Sequence, residues 1–194
     1  MELVTSEKLR GFTLDIYYDE CPESPRTWDN LGILYIPRPP RNCRNLSDSE
    51  ANGEDAQAAP VQIPVYCHDH GSIYIGENCP IDRWDSWRAG TYYVTRESIE
   101  KEYSEVTKET IKKAREVASA ELETYSSYFS GDVYLYMIED ESGDVLDCCG
   151  GFIGDSDLDY IREIFREFVN NRIADESPLF VAAGINPVTL QAIA

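Results

Sequence analysis

Histidine is scarce in this chain, lysine nearly so, and long apolar runs do not occur. The 2 histidines among 194 residues leave few side chains able to move a proton near neutral pH. The patterns G-x-x-x-x-G-K-[ST], G-x-G-x-x-G, H-E-x-x-H and G-x-S-x-G are all missing. That removes the usual phosphate-loop, dinucleotide, zinc-protease and nucleophile-elbow signatures. No stretch of about 18 apolar residues is present, so no segment reads as a membrane-spanning helix. Met1 to Glu7 shows no basic segment followed by an apolar one. The expectation is therefore a cytoplasmic protein without a secretory leader.

Positive charge is also in short supply. The 17 basic side chains face 36 acidic ones, a formal net of −19. A domain of this size stays dispersed with a single-digit net charge, and a larger excess adds self-repulsion. Three explanations compete: a surface that imitates nucleic-acid phosphates, a surface that docks on a basic partner, and adaptation to a salty cytosol. The scarcity of lysine relative to arginine suits the last of these. With 13 tyrosines and 3 tryptophans the chain is too aromatic for a disordered acidic polymer. Its 6 cysteines have no leader to suggest export, and Cys148–Cys149 are adjacent and badly placed to bond each other. Free thiols are expected.

Phe12 to Tyr18 alternates like a strand, as do Leu31–Ile36, Val61–Tyr66, Ser72–Ile75, Thr91–Val94, Val133–Ile138 and Val145–Cys149. Gly71 turns Val61–Tyr66 into Ser72–Ile75 as a hairpin. Thr95 can cap a helix. A longer helix runs from about Thr107 to Phe129, on the stripe Ile111, Ala114, Ala118, Leu122, Tyr125 and Phe129. Ser156 to Asp159 resembles a capping box that opens a last helix near 157–171. The pattern predicts an α+β fold: one antiparallel sheet of about five to seven strands covered by these two main helices. Residues 1–176 read as a single domain, 42–60 as a mobile loop insertion, and 177–194 as an apolar tail that could serve self-association.

Candidate sites are few. Cys67-His68-Asp69-His70, with Cys79 downstream, supplies the weak metal candidates Cys67, His68, His70 and Cys79. Zinc wants four ligands in paired spacing, and the second pair is missing. A strand would also send Cys67 and His68 to opposite faces. The plainer reading is a strand end, and no cofactor or metal is expected. Asp82 to Trp87 mixes carboxylates, an arginine and rings, as ordered loops do. Cys148 and Ser86 lack a placed base and so do not read as nucleophiles. Arg38-Pro39-Pro40-Arg41-Asn42-Cys43-Arg44, the one basic cluster, reads as a solvated loop. The carboxylates Glu139, Asp140, Glu141 and Asp144 at a hairpin, with Asp155, Asp157, Asp159 and Glu163 at the last helix, are the candidate partner-binding set.

Short motifs carry a resemblance. Trp28-Asp29-Asn30-Leu31-Gly32, Val65-Tyr66-Cys67-His68-Asp69-His70-Gly71, Cys79-Pro80 with Trp84-Asp85-Ser86, and Gly90-Thr91-Tyr92-Tyr93-Val94-Thr95 resemble a family of small proteins encoded by phages, archaeal viruses and plasmids. Glu121–Tyr125, Gly131–Tyr134 and Asp147–Phe152 are similar too. In this chain Ile81, Asp82 and Arg83 separate Cys79-Pro80 from Trp84-Asp85-Ser86. The resemblance implies a mobile-element origin and no particular activity. By analogy with small acidic viral proteins, the expectation is a non-enzymatic inhibitor of a host defence system, of anti-CRISPR or anti-restriction type. It would act as a DNA mimic on the basic groove of a nucleic-acid-binding complex, without touching nucleic acid or membrane itself. The alternatives are a metal-dependent hydrolase with a site near Asp69, His70, Cys79 and Asp85, and a salt-adapted structural protein that oligomerises through its tail.

Overall fold

A computed structural model describes residues 1–41, 46–70, 72–78 and 84–176. The 177–194 tail, Cys43 and Cys79 lie outside the described residues, as do the side chains of His70, Ser72, Asp175 and Glu176. In chain order the elements are β1 (Leu3–Leu9), β2 (Phe12–Tyr18), β3 (Ile33–Tyr35), α1 (Gly53–Ala58), β4 (Val61–His70), β5 (Ser72–Gly76), β6 (Ser86–Val94), α2 (Arg96–Tyr103), α3 (Lys108–Ser130), β7 (Val133–Glu139), β8 (Val145–Ile153) and α4 (Asp155–Glu176). The class is α+β. The strands form two antiparallel sheets of four, in the orders β1-β2-β7-β8 and β3-β6-β4-β5, in place of the one sheet expected. Each sheet belongs to its own compact unit, one built from 1–22 and 133 onward, the other from 23–132.

In the first unit, β1 and β2 are joined by Arg10-Gly11, both at positive φ, a geometry that twists correctly for a tight hairpin. The helix α4 lays Ile161, Phe165 and Val169 on Leu14, Ile16, Tyr134, Tyr136 and Ile138. The spacing of four residues keeps that stripe on one side. Phe12 meets Phe168 edge to face, with ring centres 5.9 Å apart. Arg162 donates from Nε to Glu7 at 2.7 Å and from Nη1 to Asp159 at 2.9 Å, fastening β1 to α4. The sequence pattern misses β1, because an edge strand with Thr5, Ser6, Glu7 and Lys8 does not alternate cleanly.

In the second unit, α3 begins at Thr107, which forms a reciprocal capping box with Thr110, and stops at Gly131 with φ of 84°. Ala114, Ala118, Leu122 and Tyr125 pack on one face of the β3-β6-β4-β5 sheet. On the opposite face Ala56 of α1 and Ala59, the residue that caps its C-terminus, cover Tyr93. Residues 46–60, read from sequence as part of a mobile loop, are tied to the edge of β3. Asp48 accepts from the Leu34 amide at 2.7 Å and from Arg26 Nε at 3.0 Å, and Ser47 Oγ accepts from the Ile36 amide at 2.8 Å. Polar composition suggested looseness, yet these same side chains satisfy backbone groups the edge strand exposes.

Glu121 of α3 does similar work at depth. Its carboxylate accepts from the amides of Leu31 at 2.6 Å and Gly32 at 3.1 Å, and from the Tyr92 hydroxyl at 2.7 Å. Glu121→Ala strands two amides and a phenol, so unfolding should become easier by about 2–4 kcal/mol. Urea titration of the two proteins checks this.

Tyr92 and Tyr125 have their ionisation pushed well up, chiefly by burial and then, for Tyr92, by the Glu121 charge and, for Tyr125, by that of Asp48. Exposed in the unfolded chain, both would ionise near pH 10. The folded state therefore holds protons that the unfolded state releases. The stability these two tyrosines contribute should be constant below about pH 10 and fall as pH rises above it. Urea midpoints between pH 8 and 11 should show that decline, with a shallower slope in Tyr92→Phe.

Candidate acidic interface

The eight carboxylates singled out from sequence all belong to the first unit, and its sheet sorts them into two groups. Glu139 is a half-buried residue at the end of β7, opposite Thr13. Asp140 is committed to the turn: its Oδ1 accepts from the amides of Ser142 at 2.8 Å and Asp144 at 3.0 Å. Gly143, at φ of 85°, completes the reversal. Glu141 and Asp144 are exposed and make no ion pair among the described residues. The hairpin thus presents two free carboxylates, not four.

The second group lies at the other end of the sheet. The chain traverses the whole of β8, about 25 Å of strand, before α4 begins. Glu139, Asp140, Glu141 and Asp144 are therefore not brought together with Asp155, Asp157, Asp159 and Glu163. Asp157 is half-buried, and its Oδ2 accepts from the Ile153 amide at 2.7 Å, which secures the first turn of α4. Asp159 is exposed and paired with Arg162. Asp155 and Glu163 are exposed and unpaired among the described residues.

Helical spacing adds a member the sequence reading left out of the set. Asp155, Asp159, Glu163 and Glu167 recur every four residues and all four are exposed. Each step rises about 6 Å and overshoots a full turn by about 40°, so the row climbs α4 as a slow coil. Phosphates along one DNA strand advance about 3.4 Å each along its axis, so one step of the row spans roughly two of them. The buried stripe Ile161, Phe165 and Val169 holds α4 to its sheet and fixes which side the carboxylates occupy. The signal that would have found Glu167 was in the sequence: an acid at every fourth position, opposite the apolar stripe.

The metal candidates diverge. Cys67 is fully buried in the core that α3 covers. His68, one residue on, points to the opposite face, where its Nδ1 lies 3.0 Å from Ser86 Oγ. Strand alternation keeps that thiol and that imidazole apart, and among the described residues no group of three metal-ligating side chains converges. Cys79 and the side chain of His70 fall outside the described residues. Asp69 and Asp85 are neighbours through their backbones, the Asp69 amide donating to the Asp85 carbonyl at 3.1 Å. Cys21, Cys67, Cys148 and Cys149 are free thiols.

The second unit has a polar cleft of about 590 Å³ beside Trp28, lined also by Asp29, Asn30, Asp48 and Glu50. Asp48 and Asn30 there are engaged in holding the fold, through Arg26 and through the Pro25 carbonyl respectively. No helix among the described residues is long and apolar enough to cross a membrane. Comparison with family models, with curated proteins and with solved structures found no match for this chain.

Proposed function

We propose that this is a non-catalytic acidic docking protein of mobile-element origin, which occupies the basic nucleic-acid groove of a host defence complex. The observation that carries the reading is the row Asp155, Asp159, Glu163 and Glu167 on the outer side of α4. Four exposed carboxylates, Asp159 shared with Arg162 and the other three unpaired among the described residues, recur at roughly every second phosphate on a helix anchored by its own apolar stripe, and offer a basic groove part of the charge pattern it normally meets. Glu141 and Asp144, at the far end of the sheet, lie outside this row and add only to the general field. The net charge of −19 supports fast, steered association with a positive surface. The motif resemblance set out above supports the mobile-element origin.

Displacement of a labelled DNA duplex tests the proposal. Purified nucleases and CRISPR effector complexes would be loaded with duplex and challenged with this protein across a salt series. Release of duplex from at least one of them, fading steeply between about 50 and 200 mM salt, is the expected result. Failure to release duplex from any complex at low salt would contradict it.

A further inference from the structure

We infer that the second unit carries an anion site, a cleft between β3, α1 and β6 that takes a phosphoryl group, free or carried by a nucleotide. The cleft has a volume of about 340 Å³ and is lined by Tyr35, Arg38, Gln57, Gln62, Arg88 and Thr91 among others. No carboxylate among the described residues lines it. That is unexpected in a chain where acids outnumber bases 36 to 17. Both guanidinium groups are on exposed residues, and among the described residues neither has an ion-pair partner. Arg26, Arg115 and Arg162, by contrast, each hold a carboxylate.

The backbone sets the two arginines side by side. The Arg38 amide donates to the Ala89 carbonyl at 3.2 Å, and the Trp87 indole N–H donates to the Arg38 carbonyl at 2.9 Å. Arg88 lies between those two anchors. The β4–β6 register slips there, pairing Val65 with Gly90 but Tyr66 with Arg88, so Ala89 is an extra residue on β6. Such a bulge bends its strand and re-aims the adjoining side chain, and Arg88 is exposed beside the buried Ala89. Two guanidinium forks rooted on one anchored stretch of backbone line one cleft and form a shared donor set.

The donor set selects the ligand. One fork satisfies both oxygens of a carboxylate, whereas two forks need the third oxygen that a phosphoryl group supplies. The Thr91 hydroxyl and the Gln57 amide add neutral donors. Gln62 is already engaged, its amide donating to the carbonyls of Gln57 and Ala59 at 2.9 and 3.0 Å. The cleft is larger than a bare phosphate and falls within the range of small-ligand sites, with the Tyr35 ring in its wall. The chain's negative field does not forbid an anion here, because exposed charges are screened beyond about 8 Å at physiological salt. Sequence alone reads Arg38 as part of a solvated loop. Only the fold brings Arg88 to it from fifty residues away, and the inference stands apart from the docking function proposed above.

Amide spectra of the full chain, titrated with inorganic phosphate and with adenosine monophosphate at constant ionic strength, test the site. Saturable shifts are expected at the amides of Gln57 and of Arg88 to Thr91. They should weaken at least tenfold in Arg38→Gln/Arg88→Gln and stay unchanged in Arg96→Gln/Arg166→Gln, which loses the same charge elsewhere. Arg38→Gln alone serves should the double variant lose spectral dispersion. Tighter binding of the nucleotide than of phosphate assigns the group to a nucleotide, and equal binding assigns it to the free anion. Absence of saturation, or an equal loss in the control variant, would overturn the inference.

Discussion

Gly90→Ala should unfold the second unit or destabilise it by more than about 3 kcal/mol. A β-carbon on Gly90 would land on the Tyr35 carbonyl oxygen and within 2.9 Å of Ile36 Cα. These are backbone atoms of the neighbouring strand, so no rotamer change can make room. Moving them would break the β3–β6 ladder, in which Tyr35 pairs with Thr91. That ladder is also the edge to which Asp48 and Ser47 are stitched. The loss would therefore spread from one strand pair to the 46–60 segment. Urea unfolding followed by tryptophan fluorescence reports on this unit, because Trp28, Trp84 and Trp87 all lie within it. A variant within 1 kcal/mol of the parent would show that β3 and β6 are not packed as closely as described.

Reversing three carboxylates on α4 should abolish displacement of duplex DNA from a basic groove. The variant Asp155→Lys/Glu163→Lys/Glu167→Lys leaves Asp159 in place to hold Arg162, so the Arg162 bridge to Glu7 survives. Each reversal replaces an attraction with a repulsion in the bound state. Close charge pairs across interfaces couple by about 1.5 kcal/mol or more, so three reversals amount to at least a thousandfold loss. The folded state should change little, because all three residues are exposed. Lysine at position 155 opposes the helix dipole at the first turn, at about 0.5 kcal/mol. Thermal unfolding within a few degrees of the parent, together with lost displacement, is the expected pair of results.

Much of the local structure could be read directly from residue spacing. The stripe Ile111, Ala114, Ala118, Leu122, Tyr125 and Phe129 places α3 to within a residue of each end, because each apolar residue meets the same sheet face. The partners of the strands could not be read. Phe12–Tyr18 is a strand by alternation, but nothing in its pattern says that it pairs with Val133–Glu139, more than a hundred residues later. One sheet was the simpler expectation, and the long-range pairing made two. The carboxylates show the same division. Composition located the acidity, and a hairpin plus a helix were correctly placed around it. Only the length of β8 shows that Glu141 and Asp155 sit at opposite ends of a sheet. Only hydrogen bonding shows that Asp140 and Asp157 are occupied with their own backbones. The pairing of Arg38 with Arg88 depends on strand register and on a bulge, which no single-sequence pattern announces.

Because any highly charged protein can perturb a polyanion complex, the decisive comparison holds net charge constant. Duplex displacement should be measured for three proteins: the parent, the α4 variant, and Glu97→Lys/Glu100→Lys/Glu102→Lys, which makes the same charge change on exposed residues of α2. The parent and the α2 variant should release duplex alike while the α4 variant should not. Equal loss in both variants would mean that bulk acidity alone acts, and the α4 row would then have no special role.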